Sequence, residues 1–260
     1  MTRRAPIPTD SLPGERLSAD LSLRRDLGIL RYGVVTLIRS SSAVVLVPLF
    51  ITLAVTVTQV LWRPDGADPS SADALQVSTG EVMGSLLAGF LGAHLLSAEF
   101  HTRAGEVIYT KPYDAWRLVW GRVVVILATV LALVGVNSLA LELFRHLHRG
   151  PYALAAAIPP SLFLCSVACA LFVASSNSIL ALIGPTIFWV WSTLGSTPPL
   201  NTRFDRLYNP ILQISAWSGY LEDPSPATYF TLIANSLTLF VVSVLLLGWC
   251  CRRLRTAVLR

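Results

Sequence analysis

Charge is scarce in this chain, and lysine is nearly absent. Only 13% of the 260 residues are charged while 53% are hydrophobic; soluble domains carry roughly 25% charged residues. So little charge cannot cover a soluble globule, and so much apolar surface excludes a disordered chain. Lys111 is the single lysine among the 20 basic residues. A nucleotide-binding P-loop needs Gly-Lys-Ser/Thr, whereas Lys111 stands between Thr110 and Pro112. Any ATP spent on behalf of this chain is therefore hydrolysed by another polypeptide. Cysteine is limited to Cys165, Cys169, Cys250 and Cys251. Neither pair has the separated spacing of a zinc site, so both read as small apolar fillers and no metal site is expected. A nucleophile elbow, a His-Glu-x-x-His motif and a carboxylate dyad within an apolar run are all missing, which argues against a membrane hydrolase.

What is present is a series of long apolar runs. A bilayer core of roughly 30 Å takes about 20 apolar residues in a helix. Six runs approach or exceed this: about 42–62, 80–98, 118–144, 152–174, 179–194 (short) and 227–251. Closed backbone hydrogen bonding makes helices the reading for all of them. With the N-terminus in the cytoplasm, 15 of the 20 basic residues fall inside, as the positive-inside bias requires. The net charge of +5 is accounted for by this bias, which leaves no case for nucleic-acid binding. The expected fold is all-α: a multi-pass protein of the cell membrane with six transmembrane helices and both termini cytoplasmic.

The flanking segments divide the chain further. Residues 1–21, with Pro6, Pro8, Pro13 and Gly14, read as a disordered cytoplasmic tail, and residues 256–260 as a short basic tail. Between them, residues 22–255 form one transmembrane unit. Leu23, Leu27, Leu30, Val34, Leu37 and Ile38 share one helical face over residues 22–40. Arg24, Arg25, Arg31 and Arg39 are available to lipid phosphates, so this stretch reads as an amphipathic helix in the inner interface. Residues 63–79, with Asp65, Asp68 and Asp73, read as a solvated outer loop. Residues 196–226 carry helically spaced apolar side chains from Phe204 to Trp217 between proline-bounded ends, and read as short helices dipping into the outer leaflet.

Several polar and small residues within the spans have simple readings. Gly80, Gly84, Ala88 and Gly92 recur every four residues and allow close helix approach, either within the subunit or at a dimer seam. His94 reads as a neutral, hydrogen-bonded residue, and Glu142 as a partner of Arg145 at i, i+3. His146 and His148 alone do not make a metal site. Asn137 and Asn177 read as helix-to-helix hydrogen bonders, and Pro185 as the cause of a kink.

The chemically richest stretch is 99–122. It mixes both charge signs with Tyr109, Tyr113 and Trp116, and Glu99, Arg103 and Glu106 are spaced to meet on one helical face. Pro112 stops that short helix, and Trp116 and Trp120 suit the membrane interface where the third span opens. A bare turn needs neither this length nor these aromatics. A docking element does, since aromatic and arginine anchors with flanking charges are what partner recognition uses.

In order, Glu99, Gly105, Pro112 and Gly121-Arg122 form a pattern that resembles the permeases of the ABC type-2 exporter class. There the connection after the second span runs Glu, Gly, a Pro after a hydrophobic turn, and Gly-Lys or Gly-Arg opening the third span. Arg122 stands here where lysine is commoner. The layout over about residues 22–255 is also similar to that family. The resemblance implies a second permease copy, identical or a sister chain, around a central path. It also implies a separate ATPase subunit, carrying ATP and Mg, docked on residues 99–117. Glu99, Arg103, Gly105, Glu106, Tyr109, Lys111, Pro112 and Tyr113 would form that contact. This chain would need no cofactor of its own, and would be a transport subunit rather than an enzyme. A stand-alone secondary transporter, or a membrane anchor of a signalling complex, is the other reading; a secondary carrier should show paired intramembrane charges or internal repeats.

Overall fold

The computed structural model describes residues 69–101, 115–146, 148–195 and 225–258, together with Trp217, Leu221 and a few positions between 27 and 61. Five helices are defined among them: α1 (Pro69–His101), α2 (Ala115–Arg145), α3 (Gly150–Ser175), α4 (Ser178–Gly195) and α5 (Pro226–Val258). No strand occurs among the described residues. Three helices, α2, α3 and α5, are long and apolar enough to cross a membrane, and α4 contains a shorter apolar helix, Ser178–Ser192. The described part of the chain is thus helical and of membrane type.

The helix ends follow from local chemistry. Proline in the first turn of α3 sacrifices no intrahelical hydrogen bond. Ser176 ends α3 in the left-handed conformation at φ 53°, its N–H donating to Phe172 O at 2.7 Å. Asn177 then opens α4, its Oδ1 accepting from the N–H groups of Ile179 at 2.9 Å and Leu180 at 3.4 Å. Asn177 is therefore an N-cap and not a helix-to-helix contact. Asn177→Ala should lower stability by about 1 kcal/mol, seen as a lower melting temperature in detergent, while Asn177→Asp should keep the cap. Ser225 and Thr228 cap α5 reciprocally: Ser225 N–H donates to Thr228 Oγ1 at 3.0 Å, and Thr228 N–H to Ser225 Oγ at 3.2 Å.

Residues 69–79 belong to α1 and are not a solvated loop. Pro69 starts the helix, and Gln76, Val77 and Thr79 are buried. Val77 clusters with Ala153 and Ala156 of α3, and Trp217 and Leu221 pack against that cluster. Tertiary burial at Gln76, Val77 and Thr79 thus accompanies a helix that begins before the apolar run, in a stretch whose serines and single aspartate mask it.

Helix α3 is the centre of the bundle, in contact with all four others, and its most extensive partner is α1. The reason is steric. A Cβ on Gly80 would lie 2.7 Å from Ala153 O, one on Gly84 3.3 Å from Ala157 Cβ, and one on Gly92 3.2 Å from Cys165 Sγ. The offset is 73 each time (153 − 80, 157 − 84, 165 − 92), so α1 and α3 run parallel in constant register. Gly80, Gly84 and Gly92 therefore face a neighbour in their own chain, and Ala88 is fully buried between them. Helix α4 runs the other way along α1: Gly89 faces Pro185, and the Trp189 indole N–H donates to Val82 O at 2.7 Å. Helix α2 is also antiparallel to α1, since Gln76 meets Ser138 and Gly84 meets Val134.

The main core runs from Leu87 and Leu91 through Val123, Ile126 and Phe172 to Leu247 and Leu254. All four cysteines are free, buried and part of it. Large apolar side chains such as Phe230, Leu237 and Leu245 on α5, and Val136 and Leu143 on α2, remain exposed, as expected of lipid-facing surfaces.

Candidate functional site

The described helices almost completely bury one carboxylate and one guanidinium, Glu81 and Arg122, and place them at opposite ends of the bundle. Glu81 lies near the start of α1 at 1% exposure, and Arg122 near the start of α2 at 2%. Since α1 and α2 are antiparallel, these starts are far apart. Charges this deep in an apolar bundle are costly and mark function by default.

The end that holds Glu81 is built from the start of α1, the end of α2 and the start of α3. Glu81 Oε1 accepts the Trp217 backbone N–H at 2.7 Å, so the carboxylate ties the segment containing Trp217 to α1. The Trp217 ring meets Tyr152 at 6.4 Å, and the Arg149 guanidinium sits 5.3 Å from the Tyr152 ring centroid. Glu142 Oε1 accepts the Gly150 N–H at 3.0 Å. Glu142 thus serves an N–H that the first turn of α3 leaves without an intrahelical partner; the Arg145 side chain, its expected partner, lies outside the described residues. His146 closes α2 at φ 56°, its N–H donating to Glu142 O at 3.0 Å. Among the described residues no three metal-ligating side chains converge.

Between α1 and α2 at this end lies a small cavity lined by Gln76, Thr79, Met83, Leu87, Asn137 and Ser138, with Gly80 and Val134 closing it. Gln76 Nε2 reaches Ser138 O at 3.4 Å, at the long limit for such a bond. This arrangement is equipped to hold and orient polar groups in an apolar bundle. It contains no nucleophile paired with a base.

The opposite end carries Arg122 and half-buried His94. Trp116 and Trp120 pack at 5.5 Å in the first turns of α2. Helix α1 extends through Glu99 to His101. Arg103, Gly105, Glu106, Tyr109, Lys111, Pro112 and Tyr113 lie outside the described residues, as do Arg24, Arg25 and Arg39. Arg31 is helical and exposed. Trp191 is exposed and meets Phe188 edge-on at 5.9 Å. Glu81 is the residue that sequence reading passed over. A lone Glu beside Gly80 at the edge of an apolar run looks like a boundary, and its partner is a main-chain N–H that no motif reports. None of the protein-family models, curated proteins or solved structures compared with this chain matches it.

Proposed function

We propose that this protein is the membrane permease subunit of an ATP-driven exporter of the ABC type-2 class. In this reading it has six spans and both termini in the cytoplasm, and works with a second permease copy and a separate ATPase. The observation that carries the proposal is the 99–122 stretch. There Glu99 near the end of α1, Gly105 and Pro112 in the connection, and Gly121-Arg122 near the start of α2 stand in order. Two further features support it. The sequence holds no P-loop, which fits a division of labour with a separate ATPase chain. The α1 and α2 helices flank the stretch on either side, so a shift imposed on it would pass directly into two long helices. The apolar character of the bundle favours a lipid-like or amphipathic cargo.

The test is a pull-down of the tagged chain from mild detergent, followed by an ATPase assay. An ATPase of roughly 25–35 kDa, the size of a single compact domain with its additions, should co-purify. That association should be lost when residues 103–113 are scrambled, and alanine at Arg103, Glu106, Tyr109 and Tyr113 should abolish substrate-stimulated hydrolysis. A chain that purifies alone, with no ATPase at any detergent strength, would transfer the reading to a stand-alone carrier or a membrane anchor.

A further inference from the structure

The joint between α1 and α2 carries a binding feature independent of the coupling stretch. Gln76 is 2% exposed and sits in the wall of the cavity described above. Its amide nitrogen reaches Ser138 O, but its Oε1 has no hydrogen-bond partner. Ser161 Oγ is a second buried atom without a partner. It lies beside the cavity wall, since a Cβ on Gly84 would be 3.3 Å from both Ser161 Oγ and Val134 Cγ2. Buried acceptors in native proteins are satisfied, by protein or by an ordered water.

Size and charge select the occupant. The cavity offers ≈ 10 Å³ to a water-sized sphere, close to the about 10–15 Å³ that one water needs. Its polar lining, Gln76, Thr79, Asn137 and Ser138, is neutral. A cation there would lose its hydration with no counter-charge in the lining to replace it, and an organic molecule would not fit. The polar groups suit the usual three bonds or so of a buried water: Gln76 Oε1 accepts, and the Asn137 amide and the hydroxyls of Thr79 and Ser138 can each give or take. We propose that this cavity is a binding site for a single structural water that bridges α1 and α2 and satisfies Gln76.

Met83 lines the same cavity and makes a built-in reporter, because the chain has only two methionines. The experiment compares two sources of hydroxyl radical on the purified full-length protein, with Met83 oxidation read by mass spectrometry. X-ray radiolysis splits bound as well as bulk water, whereas peroxide photolysis makes radicals in bulk solution only. The expected result is Met83 oxidation that is several-fold faster under X-rays than under dose-matched photolysis. Gln76→Leu, which removes the acceptor and leaves that wall of the cavity apolar, should erase that excess. The two-source contrast in the unaltered protein stands even if the variant fails to fold. Equal labelling by both sources, absence of X-ray labelling, or an excess that persists in folded Gln76→Leu would each overturn the proposal.

Discussion

Gly80→Val should give the largest loss of stability among the glycine-to-valine changes on α1, read as a fall in melting temperature in detergent. The first atom that a new Cβ meets is Ala153 O at 2.7 Å, and the next are Ala153 C and Cβ, both at 3.3 Å. A carbonyl in a helix cannot rotate aside, so relief requires moving α1 away from α3 along the seam that Gly84 and Gly92 also close. Overpacking of this kind costs about 1–3 kcal/mol for small additions, and a β-branched side chain belongs at or above the top of that range. Gly80→Ala should be milder, because alanine is better than glycine in a helix by about 1 kcal/mol, which partly offsets the clash. Gly248 is the internal control. A Cβ there meets nothing within 4 Å, so Gly248→Ala should be neutral or stabilising. If Gly80→Val melted with the unaltered protein, the α1–α3 register described above would be wrong.

Glu81→Ala should release the segment around Trp217. The substitution leaves a main-chain N–H without its 2.7 Å acceptor and opens space where a fully buried side chain stood. An abandoned buried donor costs about 1–3 kcal/mol, so amide exchange at Trp217 should quicken by roughly tenfold or more. Glu81→Gln keeps a side-chain oxygen within reach and loses only the charge assistance, so its exchange should rise far less. Equal exchange in both variants and the unaltered protein would show that the carboxylate does not hold this segment.

The sequence and the structure agree best where a run is long and uniformly apolar. The runs 118–144, 152–174, 179–194 and 227–251 fall within α2, α3, α4 and α5 and differ from them by a few residues at most ends; α5 alone continues well past its run, as a basic C-terminal stretch. Agreement fails where polar residues are buried by tertiary contact. The start of α1 reads as loop because Ser70, Ser71 and Asp73 carry no apolar period, while what makes it helical tertiary structure is Val77 against Ala153 and Ala156. Glu142 accepts the N–H of Gly150 across the turn, a main-chain donor that residue spacing along one helix does not reveal. Asn177 shows the same lesson at a joint too short to be seen as a cap before the helix ends are known. The four-residue repeat of Gly80, Gly84, Ala88 and Gly92 announced close packing but not its partner, because the partner's own small residues, Ala153, Ala157 and Cys165, are common in any apolar helix. The pattern that carries the functional proposal, from Glu99 to Arg122, is read from the sequence.

The 73-residue register between α1 and α3 also sets a clock for synthesis. At about 5–20 residues per second, the surface that receives Gly80 leaves the ribosome on the order of 4–15 s after Gly80 itself. Throughout that interval α1 exists without the helix that covers it, with a small-residue groove and a carboxylate at Glu81 on show. Helix α2 emerges first but gives α1 a smaller interface than α3 does. The nascent chain therefore passes through a stage in which α1 has only the smaller cover of α2 within its own polypeptide, until its central helix arrives.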